Sequence, residues 1–205
     1  MEQTQDYVTN TYEQSVPMWN EEANEQVINK LVHEIKTQAK VPKLGVMLVG
    51  LGGNNGSTFT AGVLANKKGQ TWETKQGIQH PNFHGSFTQS ATAHVGYKMD
   101  PSTNKLEDVY KPIKDLMPMV NPCDFEISGW DINSADLFTA CKRSHVLEPD
   151  LVNALKDDLE KIKPLPSILN PEFIAANQSD RVDNIFQGTN RECIDKIRQD
   201  IQDMK

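Results

Sequence analysis

Apolar side chains along this chain fall into short bursts set apart by polar turns, and two different periods organise them. Residues 1–20 follow neither period and predict a loose polar arm. Over residues 20–40 the apolar positions Val27, Ile28, Leu31, Val32 and Ile35 share one face at helical spacing, which predicts a helix. A strand there would use only the alternation Leu31, His33, Ile35. The run from Leu44 to Gly50 is continuous, branched and too short for a buried helix. It predicts a strand covered on both faces, and so a parallel sheet. From Ser57 the period becomes helical, with Phe59, Val63 and Leu64 apolar, and it stops at Lys67, Lys68 and Gly69. Strand, glycine turn and helix make the first half of a βαβ unit.

Residues 70–121 are less regular. The segment Met99–Asp108 reads as a turn-rich insertion, and three prolines break residues 109–122 into short pieces. Asp124–Trp130 predicts a second strand, after which Asn133 is placed to cap a helix carrying Leu137, Ala140 and Cys141. A further helix has Pro149 in its first turn and Leu151, Leu155, Leu159 and Ile162 on one face; the KPLPS segment stops it. The last element opens with the capping box Thr189-x-x-Glu192 and carries the stripe Ile194, Ile197, Ile201, Met204. A helix with so plain a stripe normally leads into another strand. The chain ends there at Lys205, so the expectation is a sheet interrupted before completion.

Composition narrows the function classes. The 205 residues include 21 basic and 28 acidic side chains, a formal charge of −7, with 37% hydrophobic residues. That is a globular composition, and the acidic balance argues against nucleic acid as a partner. No run reaches the 18 apolar residues of a membrane helix, and the N-terminus has no basic n-region or apolar h-region. Cys123, Cys141 and Cys193 form no C-x-x-C pair, which fits reduced thiols in a cytoplasmic protein.

The chemistry concentrates in Gly50-Leu-Gly-Gly-Asn-Asn-Gly-Ser-Thr58, directly after the first strand. The dinucleotide fingerprint is G-x-G-x-x-G; here glycines fall at 50, 52, 53 and 56, so the loop is one residue longer. Gly50 permits the tight turn, Gly52 and Gly53 let backbone approach a pyrophosphate, and Gly56 lets the helix close onto the strand. The amides of Asn54, Asn55, Gly56 and Ser57 then face an anion at the helix N-terminus. The alternative is a structural glycine turn with no ligand. Asp131, at the end of the second strand, can accept from both adenosine ribose hydroxyls and would repel a 2′-phosphate. It stands 81 positions after Gly50 instead of about 20, so the insertion must loop out between the strands. His80 and His84 lie four apart, but Pro81 between them and Gly77 and Gly85 beside them prevent a helical metal pair. No G-x-S-x-G elbow is present.

These segments resemble one family, inositol-3-phosphate synthase, also called myo-inositol-1-phosphate synthase. The resemblance runs from about Val41 onward. It rests on VPKLGVMLVGLGGNNGST, GSFTQSATAHVG, ISGWDIN, KPLPSI and FIAANQSDRVDNI, a combination far more specific than a lone glycine fingerprint. Residues 1–40 match poorly, and there the resemblance implies strand. It implies an α/β fold, a Rossmann-like doubly wound parallel sheet, with residues 1–40 as an arm and a helix or strand segment, and residues 41–205 as part of an NAD-binding domain.

The implied reaction converts D-glucose 6-phosphate to 1D-myo-inositol 3-phosphate by oxidation at C5, enolisation, aldol closure and reduction, with NAD regenerated in each turnover. The family's NAD contacts fall on Gly52, Gly53, Asn54, Asn55, Asp131, Ser167, Ile168, Gln178 and Arg181. Its catalytic lysines and tetramerisation sheet lie beyond Lys205, so no catalytic residue is assigned. Leu51 stands where the family commonly has tryptophan. The alternatives are a non-catalytic short form that pairs with a full-length synthase and, more remotely, an unrelated NAD-dependent dehydrogenase.

Overall fold

The structure is a computed structural model that describes residues 2–4, 6–170, 172–173 and 177–204. In chain order its elements are β1 (Glu2–Gln3), β2 (Tyr7–Asn20), β3 (Glu25–Gln38), β4 (Gly45–Val49), α1 (Asn54–Lys68), β5 (Trp72–Thr74), β6 (Gly77–Gln79), α2 (Phe87–Ser90), β7 (Thr92–Asp100), β8 (Lys105–Pro112), α3 (Ile113–Leu116), β9 (Glu126–Asp131), α4 (Leu137–Ser144), α5 (Pro149–Ala154), α6 (Lys156–Leu159), β10 (Leu165–Pro166) and α7 (Asn190–Asp203). Backbone contacts divide the chain into two units, Met1–Pro42 with Gly85–Met119, and Lys43–His84 with Val120–Lys205.

The first unit is built from antiparallel hairpins. β2 and β3 pair over fourteen residues, from Tyr7↔Gln38 to Asn20↔Glu25, and β1 adds to β2. The Asn20 side chain accepts from the amides of Glu22 and Ala23, and Asn24 takes a left-handed φ of 53°, which turns the chain. Two expectations are corrected here. Residues 7–20 are strand, not a loose arm, and residues 25–38 are strand, not helix. The reason is the spacing itself: positions 27, 31 and 35 are four apart, which satisfies period 2 as well as 3.6. In the strand those three share a face while Ile28 and Val32 take the other, and pairing with β2 decides. The second hairpin, β7–β8, absorbs the predicted insertion, since Met99–Asp108 is its tip and flanks. Asp100 there accepts from the Ser102 amide and the Ser102 and Thr103 hydroxyls, which lowers its pKa to about 2.

The second unit holds a parallel sheet in the order β10–β9–β4. β4 runs beside β9 from Gly45↔Glu126 to Val49↔Trp130, and β9 pairs with β10 through Trp130↔Leu165 and Asp131↔Pro166. Third, second and first strand side by side is the order of one half of a doubly wound fold. β10 was legible only as a stop signal, because two residues within a proline-rich run carry no period. The core unites Leu51, Ala61, Ala65, Leu137, Ala140, Cys141, Leu151, Val152, Leu155 and Leu159, with Leu48 and Ile127 of the sheet packed against it. Burial raises the Cys141 pKa, and its thiol donates to the Ser57 carbonyl. β4 is not covered along its length, since Val49 is 87% exposed.

Helix ends follow local chemistry. α1 begins at Asn54, three residues before the expected start, and Gly69 closes it at φ 62° with its N–H on the Ala65 and Asn66 carbonyls. Asp136, not Asn133, caps α4, its Oδ1 accepting from the Thr139 amide at 2.8 Å. The Asn133 side-chain oxygen instead accepts from Arg143. The α7 capping box forms as read, with Glu192 accepting from Thr189. This helix is held to the sheet by the Trp130 indole N–H, which donates to buried Asp200 at 2.8 Å.

Candidate dinucleotide site

The glycine loop is fastened to β9 before any ligand is considered. Gly50 turns the chain at φ +86°, and the amides of Gly50 and Leu51 both donate to the Trp130 carbonyl, at 2.8 and 3.0 Å. The Leu51 side chain is fully buried in the core, so leucine in place of tryptophan is a packing matter. The Gly53 amide returns to the Gly50 carbonyl at 3.0 Å. The Ser57 amide and hydroxyl both donate to the Gly53 carbonyl, at 2.9 and 2.8 Å. With Ser57 committed in this way, the open amides of the first helical turn are those of Asn54, Asn55 and Gly56.

Asp131 sits at the end of β9, 5% exposed. Its Oδ2 accepts from the Gly52 amide at 2.9 Å and its Oδ1 from the Asn133 amide at 3.1 Å. A carboxylate has about four acceptor positions, so two remain open. The Asn184 side chain donates to the carbonyls of Asp131 and Pro164, tying the strand end to the segment after β10. There the Ser167 amide donates to the Asn184 carbonyl, and the Phe186 amide to the Ser167 carbonyl.

Eight of the twelve anticipated residues line one cleft of about 450 Å³: Gly50, Gly53, Asn54, Asp131, Ser167, Ile168, Gln178 and Arg181. Val49, Ile132 and Leu169 complete its wall. The other four stand off the wall: Gly52 behind the Asp131 carboxylate, Asn55 exposed, and Gly56 and Ser57 buried. Arg181 donates to the Gln178 side chain at 3.5 Å, while its buried Nε has no partner among the described residues. An orphaned guanidinium donor, the open Asn54 amide and a half-free carboxylate in one cleft suit a pyrophosphate joined to a ribose. Ile174, Ala175 and Ala176 of the FIAANQ segment lie outside the described residues.

Sequence reading missed the polar frame behind the cleft. Asn133 donates to the Arg181 carbonyl at 2.9 Å, and Asp183 accepts from the Ser134 amide and hydroxyl at 2.7 and 2.9 Å. Those donors, with Arg143 nearby, hold the Asp183 carboxyl below the usual carboxylate range. Only the position of Asn133 just after a strand end could have signalled this. Among the described residues no group of three or more His, Cys, Asp or Glu side chains could hold a metal ion, and no helix is long and apolar enough to cross a membrane.

Comparison with known proteins places the chain in a family. A model of an NAD-binding domain described as myo-inositol-1-phosphate synthase matches residues 44–205. Inositol-3-phosphate synthase 1 of Oryza sativa subsp. japonica is 47% identical over 175 residues, covering 85% of this chain and 33% of that protein. Inositol-3-phosphate synthase 1-B of Xenopus laevis is 52% identical over 169 residues, covering 82% of this chain and 29% of that protein. The crystal structure of inositol-3-phosphate synthase from Caenorhabditis elegans superposes with a TM-score of 0.82 at 38% identity, covering 100% of this chain and 41% of that one. The chain thus spans about a third of the length of the curated relatives it matches. The cofactor that the matched domain binds is NAD. With the parallel sheet, the glycine loop and the Asp131 cleft in the same 162-residue stretch, the chain belongs to the myo-inositol-1-phosphate synthase family.

Proposed function

We propose that this chain is the cofactor-holding part of an NAD-dependent isomerase that converts D-glucose 6-phosphate to 1D-myo-inositol 3-phosphate in the cytoplasm, within a homo-oligomer. The observation that carries the cofactor's placement is the buried Asp131 carboxylate, held at the cleft by the Gly52 and Asn133 amides. In this reading Asp131 takes the adenosine ribose, and the amides of Asn54, Asn55 and Gly56 take the pyrophosphate at the α1 N-terminus. Gly53 keeps the approach clear, and Gly52 leaves room for the Asp131 carboxylate. Arg181 adds a cation, positioned by Gln178, and Ser167 and Ile168 close the opposite wall. Bound NAD would take a hydride from the sugar and return it, so the chain's task is to hold the cofactor without exchange.

Asp131→Ala is expected to weaken NAD binding by on the order of 1–3 kcal/mol, the loss of a pair of charge-assisted hydrogen bonds, and to narrow the preference over NADP. Titration of parent and variant with both dinucleotides checks this. Equal affinity of the parent for NAD and NADP would remove Asp131 from the ribose.

A second reading, a non-catalytic short form that pairs with a full-length synthase, is favoured by one observation: among the described residues Arg181 is the only cationic one on the cleft wall. An enolate forming beside a phosphate dianion needs preorganised cations. The deciding experiment assays inositol phosphate formed from glucose 6-phosphate with added NAD, for the 205-residue chain beside a synthase of full family length. No product above the blank is expected from the 205-residue chain. Turnover would place the catalytic groups within residues 1–205.

A further inference from the structure

Arg143 lies in the last turn of α4, and it does not line the cleft. Its Nη1 donates to the Asn133 side-chain oxygen at 2.8 Å, and its Nη2 donates to the Gly52 carbonyl at 3.2 Å. Gly52 and Asn133 are the two residues whose amides donate to the Asp131 carboxylate, one to each oxygen. One planar guanidinium therefore clasps both residues that hold Asp131. Neither has an anchor in regular structure. Gly52 belongs to the glycine loop and has no side chain of its own, and Asn133 lies in the irregular stretch between β9 and α4. A carboxylate pinned by two amides is placed only as well as those amides are. Asp183, within electrostatic reach of Arg143, grips Ser134 on the same stretch.

We propose that Arg143 is a positioning residue for dinucleotide selection: by clasping Gly52 and Asn133 it fixes the Asp131 carboxylate at the ribose edge, favouring a free 2′-hydroxyl over a 2′-phosphate. This rests on Asp131 meeting the adenosine ribose. Without the clasp the loop and the Asn133 stretch relax apart, the carboxylate turns from the ribose, and NAD loses more than NADP does. A cation acting directly on the ligand would behave in the opposite way. Its removal would weaken the more highly charged NADP further and widen the preference.

The test titrates the 205-residue chain and its Arg143→Met, Arg143→Lys and Arg191→Gln variants with NAD and with NADP, with thermal melting of each. Arg191 is an exposed α7 residue paired with Asp195, so its loss controls for the change in net charge. Arg143→Met is expected to narrow the NAD-to-NADP affinity ratio at least fivefold while melting stays cooperative, and Arg191→Gln to leave the ratio unchanged. Arg143→Lys retains the charge but cannot span both partners with one fork, so most of the narrowing is expected to persist. If Arg143→Met does not fold, Arg143→Lys decides by the same ratio. An unchanged or widened ratio overturns the proposal. A parent chain with no preference for NAD overturns the Asp131 reading and this proposal together, whereas a parent preference that survives the Arg143 changes overturns this proposal alone.

Discussion

Replacing Gly52 with valine is expected to abolish NAD binding while the chain keeps its fold. A Cβ built at Gly52 would stand 3.3 Å from both Cγ and Oδ2 of Asp131, tighter than ordinary contact. Valine then adds two γ-carbons on a stiff χ1 beside a carboxylate that can retreat only by breaking its own hydrogen bonds. Asp131 is held through both side-chain oxygens and through its carbonyl. Either Asp131 swings from the ribose edge or the loop lifts into the pyrophosphate's path, and both end binding. The obstacle thus differs from the bare approach of pyrophosphate that a glycine fingerprint implies. At this position the missing side chain makes room for the protein's own carboxylate. The fold is spared because Gly52 has no left-handed φ and the neighbouring Leu51 keeps its core contacts. Titration should show no saturation at about a hundred times the parent's midpoint concentration, with a melting transition close to the parent's. If the valine variant binds NAD as the parent does, the glycine turn serves structure alone.

Gly56→Ala is expected to do the reverse, destabilising the chain by about 3 kcal/mol, the upper end for forced overpacking. A Cβ there would lie 2.5 Å from the Leu51 carbonyl oxygen and 2.7 Å from that of Gly50. Both oxygens are backbone and belong to the turn fastened to Trp130, so no flexible side chain can give way. α1 must back off from the loop that opens it. Denaturant unfolding measures the effect as a lowered midpoint with an unchanged slope. A change under about 0.5 kcal/mol, the ordinary range for a neutral substitution, would refute the account of helix closing onto loop.

Legibility followed the strength of local signals. The strand before the glycine loop, α1 with its Lys67-Lys68-Gly69 stop, β9 and the α7 capping box were all readable, because each rests on neighbours a few residues away. β3 was misread because a four-residue apolar spacing serves both periods, and only pairing with β2, up to 31 positions distant, separates them. β10 was missed because two residues show no period. The glycine loop and Asp131 were readable as chemistry, and the cleft that joins them to Ser167, Ile168, Gln178 and Arg181 came only through the family resemblance. The Arg143–Asn133–Asp183 frame left no trace in the sequence beyond the place of Asn133 after a strand end, because polar side chains in loops look alike until their partners are in place.

The pairing of β4 with β9 also has a kinetic side. Gly45 meets Glu126 across 81 positions, and 35 of these, Gly85–Met119, belong to the other unit. Closing a chain loop costs about (3/2)RT ln n, so those 35 residues add only about 0.5 kcal/mol to the closure of the parallel pair. β7 and β8 need only a four-residue tip, so that hairpin can form within microseconds and shorten the loop before the distant strands meet. The slow event in folding is then the meeting of β4 and β9, the most non-local strand pairing in the nucleotide-binding unit. The glycine loop is expected to take shape only at that moment, because its first two amides need the Trp130 carbonyl, and the candidate site is then among the last parts of the chain to become native.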